Sequence, residues 1–79
     1  MPLYHFKMRG PEAAAESVSA EFSTVEAAKF EAVKSGRELI AEAMAQSRAV
    51  GVDTIDVFDE TGNMVASVAM WDLLPDDMR

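Results

Sequence analysis

Few side chains in this sequence have the types and spacing that could do chemistry, and most of them are aspartates near its end. Asp53, Asp56 and Asp59 recur at every third position. On a helix this spacing would gather the carboxylates on one face, but on a strand it scatters them over both faces. Paired acid–base catalysis needs carboxyl groups that are held together. Because the surrounding residues favour strands, we expect no catalytic pair here.

A second pattern, Asp59-x-Thr61-x-Asn63, matches the first half of a calcium-binding loop. The full loop needs a glycine at its sixth position and a bidentate glutamate at its twelfth, where this chain has Met64 and Met70. We therefore interpret this segment as a hairpin turn in which Asp59 accepts local backbone hydrogen bonds.

The single histidine, His5, could act as a general base or as a lone metal ligand. No serine, cysteine or carboxylate near it in sequence completes a recognisable catalytic motif. His5 alternates with Lys7 and Arg9, which favours a solvated basic stripe on one face of a strand. We predict no catalytic residues, no metal site and no cofactor.

The composition of the chain argues against several classes of partner and kinds of site. The chain has 79 residues, no cysteine and a net charge of -7. The negative charge argues against nucleic acid and anionic membranes as partners, because phosphate binding needs clustered Lys and Arg. No signal peptide and no apolar run of membrane-spanning length is found in the sequence. These features predict a cytoplasmic protein without disulfides or thiolate metal sites.

Periodicity predicts a single domain over residues 1–79 with strand, strand, helix, strand, strand order. Alternation predicts strands over 3–9 and 17–22, although the Ala-rich segment before the second strand has no clear pattern. Residues 52–58 and 64–71 form the predicted hairpin, and residues 75–79 form a polar tail. One long helix on one face of a small antiparallel sheet is the α+β arrangement that this order favours.

The clearest local signal marks the start of the helix, predicted over residues 24–49. Ser23 is the expected N-cap, with Glu26 reaching back to it in a capping box and Phe22 packing on Ala27. The spacing predicts a core-facing stripe, and Gly51 suits the left-handed residue after the helix. This stripe comprises Phe30, Val33, Ile40 and Met44, widened by Ala28, Ala32 and Leu39.

Several short motifs resemble those of a family of small bacterial proteins of unknown function. They are Met1-Pro2-x-Tyr4-x-Phe6, residues 21–22 leading into residues 25–29, and residues 55–57 followed by Asp59-Glu60-x-Gly62. The chain departs from the family pattern at Ser23-Thr24, where Pro-Asp is usual, and at Ala13-Ala14-Ala15. The resemblance implies this fold over most of the chain. It implies no activity, substrate or catalytic residue.

The predicted hairpin register suggests self-association. It places Asp59 opposite Asn63, Phe58 opposite Met64 and Val57 opposite Val65. Both sheet faces would then be largely apolar, whereas one helix covers only one of them. We therefore expect a homodimer through the uncovered face or the sheet edge. The alternative is that Trp71, Leu73 and Leu74 fold back over that face. The candidate interface residues are Val52, Phe58, Met64, Val68, Met70 and Trp71.

Three hypotheses for function follow. The first is a non-catalytic, self-associating protein-interaction module. The second is an acidic inhibitor or antitoxin-like protein that binds a basic partner protein. The third is an enzyme whose site is completed between subunits, with His5 and a carboxylate from another chain in one pocket.

Overall fold

The structure is a computed structural model that describes residues 1–13 and 17–75. Its elements run β1 (Leu3–Arg9), β2 (Val18–Glu21), α1 (Val25–Ala45), β3 (Thr54–Phe58), β4 (Met64–Ala69) and α2 (Met70–Leu73). The predicted α+β class is confirmed, since one antiparallel sheet is packed against a long helix. Parts of the predicted Ala-rich segment and polar tail, residues 14–16 and 76–79, lie outside the described residues.

The sheet has the strand order β2-β1-β3-β4, with every neighbouring pair antiparallel. β1 begins and ends where its alternation predicts. The predicted second strand also lies beside it, shortened by a residue at each end. Because β2 and β3 flank β1 on opposite sides, α1 connects strands that are not neighbours in the sheet.

The helix begins one residue later than predicted, because Thr24 rather than Ser23 is the N-cap. The Thr24 backbone is extended, and its hydroxyl oxygen accepts a hydrogen bond from the Ala27 amide at 3.0 Å. Both residues are chemically suited to capping. The capping box predicted for Ser23 and Glu26 is therefore wrong in its register.

The helix also ends earlier than predicted, at Ala45 instead of residue 49. Ser47 adopts the left-handed conformation with φ 54°, the role that the sequence suggested for Gly51. Its amide donates to the Met44 carbonyl at 3.1 Å, and the Arg48 amide donates to the Ala43 carbonyl at 3.0 Å. These two bonds form a Schellman motif, which satisfies carbonyls of the last turn.

The predicted core-facing stripe of the helix is confirmed in part: Val33 and Leu39 pack against the core and Ala28, Ala32 and Ile40 lie in it, but two members fail. Phe30 and Met44 are exposed, and among the predicted large residues only Ile40 is fully buried. The buried positions are mostly small: Ala28, Ala32, Gly36, Ile40 and Ala43. Small side chains let the backbone of α1 approach its neighbours closely. The prediction fails at the two large side chains Phe30 and Met44.

Gly36 lies on the buried face of α1. A Cβ atom built at Gly36 would lie 2.5 Å from Cδ1 of Leu73 and 3.2 Å from Sδ of Met70. Both of these residues belong to α2, which packs against α1. Gly36 would be a weak point in an exposed helix, but here its missing side chain lets α2 pack closely against α1.

The C-terminal hairpin has the predicted turn but a different register beyond it. The Asp59 amide donates to the Asn63 carbonyl at 2.9 Å, Gly62 has φ 88°, and Phe58 pairs with Met64. Val57 then pairs with Ala66, because the pairing shifts by one residue between Val57 and Phe58. Val65 is thus the extra residue of a β-bulge.

The bulge moves the side chains that follow it to the other sheet face. Val68 pairs with Ile55 and shares the buried, helix-facing side with it, contrary to the predicted alternation. The strands are also shorter than predicted: β3 begins at Thr54, and β4 ends at Ala69. The chain turns into α2 at Met70, whose amide donates to the Asp53 carbonyl at 2.9 Å.

Candidate functional site

The sheet face that α1 does not cover is polar. Its central group is Asp56, which is only 2 % exposed although it lies on the face opposite α1. Oδ2 of Asp56 lies 2.6 Å from Nε of Arg9, and the Ser67 hydroxyl donates to Oδ1 at 2.6 Å. Arg9 also donates to the Thr54 hydroxyl at 3.1 Å. These contacts join β1, β3 and β4 across their outer face.

The surroundings of Asp56 favour its charged form. Burial raises its pKa, but hydrogen bonds from Ser67 and Arg9, together with the Arg9 charge, outweigh burial and hold the pKa below its ordinary value. The carboxylate therefore acts as a fixed acceptor. The partners of the Asp56 carboxylate are a cation and hydroxyl groups.

The other polar residues considered for chemistry also make structural contacts. Nδ1 of His5 lies 2.6 Å from the Ser19 hydroxyl on β2, and Nζ of Lys7 lies 5.9 Å from the centre of the Phe58 ring. The basic stripe of β1 therefore contacts the strands on both of its sides. These contacts connect neighbouring strands across the outer face.

Asp59 closes the hairpin turn, as its sequence pattern predicts. Its Oδ1 accepts from the Thr61 amide at 2.9 Å, the Thr61 hydroxyl at 2.7 Å and the Asn63 amide at 3.0 Å. The Thr61 hydroxyl has the largest effect on the Asp59 carboxyl and, with the other donors, lowers its pKa. Within residues 1–13 and 17–75, no group of three or more His, Cys, Asp or Glu is arranged to hold a metal ion.

The six predicted interface residues do not form one surface. Val52, Val68 and Met70 are buried in the core of the domain, which corrects their assignment to an exposed face. Met64 and Trp71 are more than half exposed, and Phe58 is half-buried. Phe58 and Met64 pair at the hairpin end of the sheet, whereas Trp71 lies on α2 beyond the other end of β4. The premise that both sheet faces are apolar is therefore wrong.

An apolar groove that the sequence analysis missed lies on the helix side of the sheet. Because α1 packs chiefly on β3, β4 and α2, the inner faces of β1 and β2 are partly uncovered. A cavity of about 300 Å³ opens there between the strands and α1. We call it the β1–β2 groove; its lining is Phe6, Met8, Val18, Ala20, Phe22, Glu31, Ala32, Ser35 and Ile55.

Aromatic side chains pack against one another along one side of the groove. The rings of Phe6 and Phe22 meet edge to face with their centres 5.8 Å apart, and Tyr4 lies 6.3 Å from Phe22. Val18, at the rim, is 63 % exposed. The alternation of Val18, Ala20 and Phe22 was the available sequence signal, because it predicts three apolar side chains on one face of β2.

The described residues include no helix with the length and apolar character of a membrane span. Comparison with known proteins identifies no similar curated protein and no similar solved structure. One family model does match, and it covers residues 3–71, which extend from the first residue of β1 into α2. The chain therefore belongs to the family described as Domain of unknown function (DUF6894).

Proposed function

We propose that this protein is a non-catalytic interaction module that associates with a second copy of itself. The observation that carries the proposal is the β1–β2 groove, whose apolar rim residue Val18 is exposed at the sheet edge. A small soluble domain gains stability by covering such a surface. Twofold self-association is the commonest way to do so. A cytoplasmic location is part of the same proposal.

The roles of the polar residues support a binding function over catalysis. Asp56 forms an ion pair with Arg9, Asp59 accepts hydrogen bonds within its own turn, and His5 contacts Ser19. A general acid or base needs a group that can exchange a proton with a substrate. These side chains are instead used to join strands and to close a turn.

The mass of the protein in solution tests the proposal. We expect light scattering at micromolar concentration to give a dimer, and we expect Val18→Asp to shift it towards monomer by placing charge at the groove rim. Met64→Asp is a matched control, because Met64 is also exposed but lies on the opposite edge strand. A monomeric wild-type protein would refute self-association. Dissociation by Met64→Asp alone would place the contact on the hairpin instead.

The net charge of -7 favours a second candidate function, that of an acidic protein that occupies the basic site of a partner. Affinity for such a partner should weaken steeply as salt is added, since exposed charges are screened. Purification from native cells at low salt, followed by a high-salt wash, would identify it. Recovery of no basic protein in the wash would count against this function.

A further inference from the structure

The outer edge of β2 carries backbone groups that no strand in the described part of the chain pairs with. β2 is the first strand in the sheet order, and β1 is its neighbour. The Phe22 amide donates to the Pro2 carbonyl at 3.1 Å, so Phe22 directs its backbone groups towards β1. In an antiparallel ladder this direction alternates. The amide and carbonyl groups of Ser19 and Glu21 therefore point away from the sheet.

We infer that two copies of the chain join through this edge, with β2 of one copy antiparallel to β2 of the other and the twofold axis at Ala20. The inference rests on the proposed self-association and specifies its surface. Each four-stranded sheet would continue into the other across the axis. Ser19 of each copy would lie opposite Glu21 of the other and exchange hydrogen bonds with it, four in all.

The side chains of β2 fit this register. Residues directly opposite each other share a sheet face. Val18 of one copy would meet Phe22 of the other on the groove side, and Ala20 would meet its own mate at the axis. The exposed Val18 would thus be covered by an aromatic ring. On the outer face, Ser19 faces Glu21, so the two Glu21 carboxylates are not direct partners.

The opposite edge of the sheet is less suited to pairing. β4 carries the Val65 bulge, and such irregularities interrupt the regular ladder that an added strand requires. In addition, α1 already packs on β4, whereas the inner face of β2 borders the open groove. The two edges therefore differ in both regularity and apolar surface.

The exposed face of α1 is a further apolar surface, but charged residues interrupt it. Phe30 and Met44 lie on that face, and Lys34, Arg37 and Glu38 lie between them in sequence and line the same surface. A twofold axis near the middle of the helix would bury these charged groups. Removing charged groups from water is costly. The edge of β2 carries no such cluster.

A proline at the outward-facing position tests the pairing. Ser19→Pro removes an amide that points away from β1, so the β1–β2 backbone ladder keeps its hydrogen bonds, although the Ser19 hydroxyl contact with His5 is lost. It removes two of the four intermolecular bonds, and we expect the dimer dissociation constant to rise about tenfold or more. Ala69→Pro is the control on β4, because Ala69 has φ -82° and its register places its amide outwards. Thermal denaturation of each variant checks that it is folded.

A single cysteine tests the position of the axis directly, since the natural chain has none. Opposed residues in a non-hydrogen-bonded pair have Cα atoms about 4.5 Å apart, within the range that a disulfide spans. Ala20→Cys should therefore cross-link into dimers under mild oxidation, and Ala69→Cys should not. If wild type is dimeric but Ala20→Cys does not cross-link and Ser19→Pro does not dissociate, the edge contact is wrong while self-association stands. A monomeric wild type refutes both.

Discussion

Asp56 on β3 and Arg9 on β1 form an ion pair of 2.6 Å on the face of the sheet that the helix leaves uncovered. The acid is almost fully buried, but the guanidinium above it is exposed. Long side chains can cover a neighbour in this way while their charged ends stay in water. The pair thus joins two central strands, and the Arg9 side chain helps to shield the buried carboxylate.

We predict that Asp56→Asn destabilises the protein by about 1–3 kcal/mol at neutral pH, since it weakens hydrogen bonds to a charged group. The folded-state pKa of Asp56 is lowered, so its contribution is present above the ordinary aspartate pKa and is lost as pH falls through the folded value. The difference between wild type and variant should therefore shrink below about pH 4. Urea denaturation across pH measures it.

Glu38→Gln serves as the control for that experiment, because Glu38 is exposed on α1. Its stability should follow that of wild type. A difference between Asp56→Asn and wild type that is constant from neutral pH to pH 3 would show that the Asp56 charge contributes nothing.

Thr24→Ala should lower the free energy of unfolding by about 0.5–2 kcal/mol, because the Ala27 amide loses its acceptor in the first turn of α1. Ser23→Ala should have little effect, since Ser23 precedes the cap. Thermal or urea denaturation of the two variants distinguishes them. A larger loss for Ser23→Ala would mean that the helix begins with the capping box that the sequence suggested.

Gly10→Ala should be more destabilising than Gly62→Ala. Both glycines have positive φ, 148° and 88°, so each substitution strains the backbone. At Gly10 the new Cβ would also lie 2.6 Å from the Gly51 carbonyl oxygen and 2.7 Å from the Asp53 amide nitrogen. At Gly62 it would meet no atom within 4 Å. Equal losses of stability in urea denaturation would contradict the close packing described at Gly10.

Calcium and chelator should both leave the melting temperature unchanged. Oδ1 of Asp59 already accepts hydrogen bonds within its own turn, and the loop lacks the glutamate that a calcium site of this type requires. A ligand that binds only the folded state raises its stability. A melting temperature that rises with calcium and falls again with chelator would therefore overturn the interpretation as a hairpin turn.

Local signals in the sequence predicted those parts of the fold that local physics decides. Alternation located β1, and Asp59 with Gly62 located the hairpin turn, because each pattern depends on residues close in the chain. Thr24 and Ser23 are both good caps, so sequence alone could not choose between them. Ser47 ended the helix early by adopting a conformation for which glycine is the usual choice.

The errors that mattered for the candidate site arose from contacts between distant residues. Gly36 of α1 is buried where Leu73 and Met70 of α2 pack against it, and no pattern within the helix contains that information. The bulge at Val65 moved Val68 into the core. Val52 and Met70, which lie outside β3 and β4, are buried there as well. The groove at Val18 was missed because it depends on α1 lying over β3 and β4.

The mass of the wild-type protein in solution, measured by light scattering over a range of micromolar concentrations, is the direct test of self-association. We expect a mass of twice the 8.6 kDa chain, falling towards that of a single chain in Val18→Asp. A wild-type mass of 8.6 kDa throughout that range would contradict it.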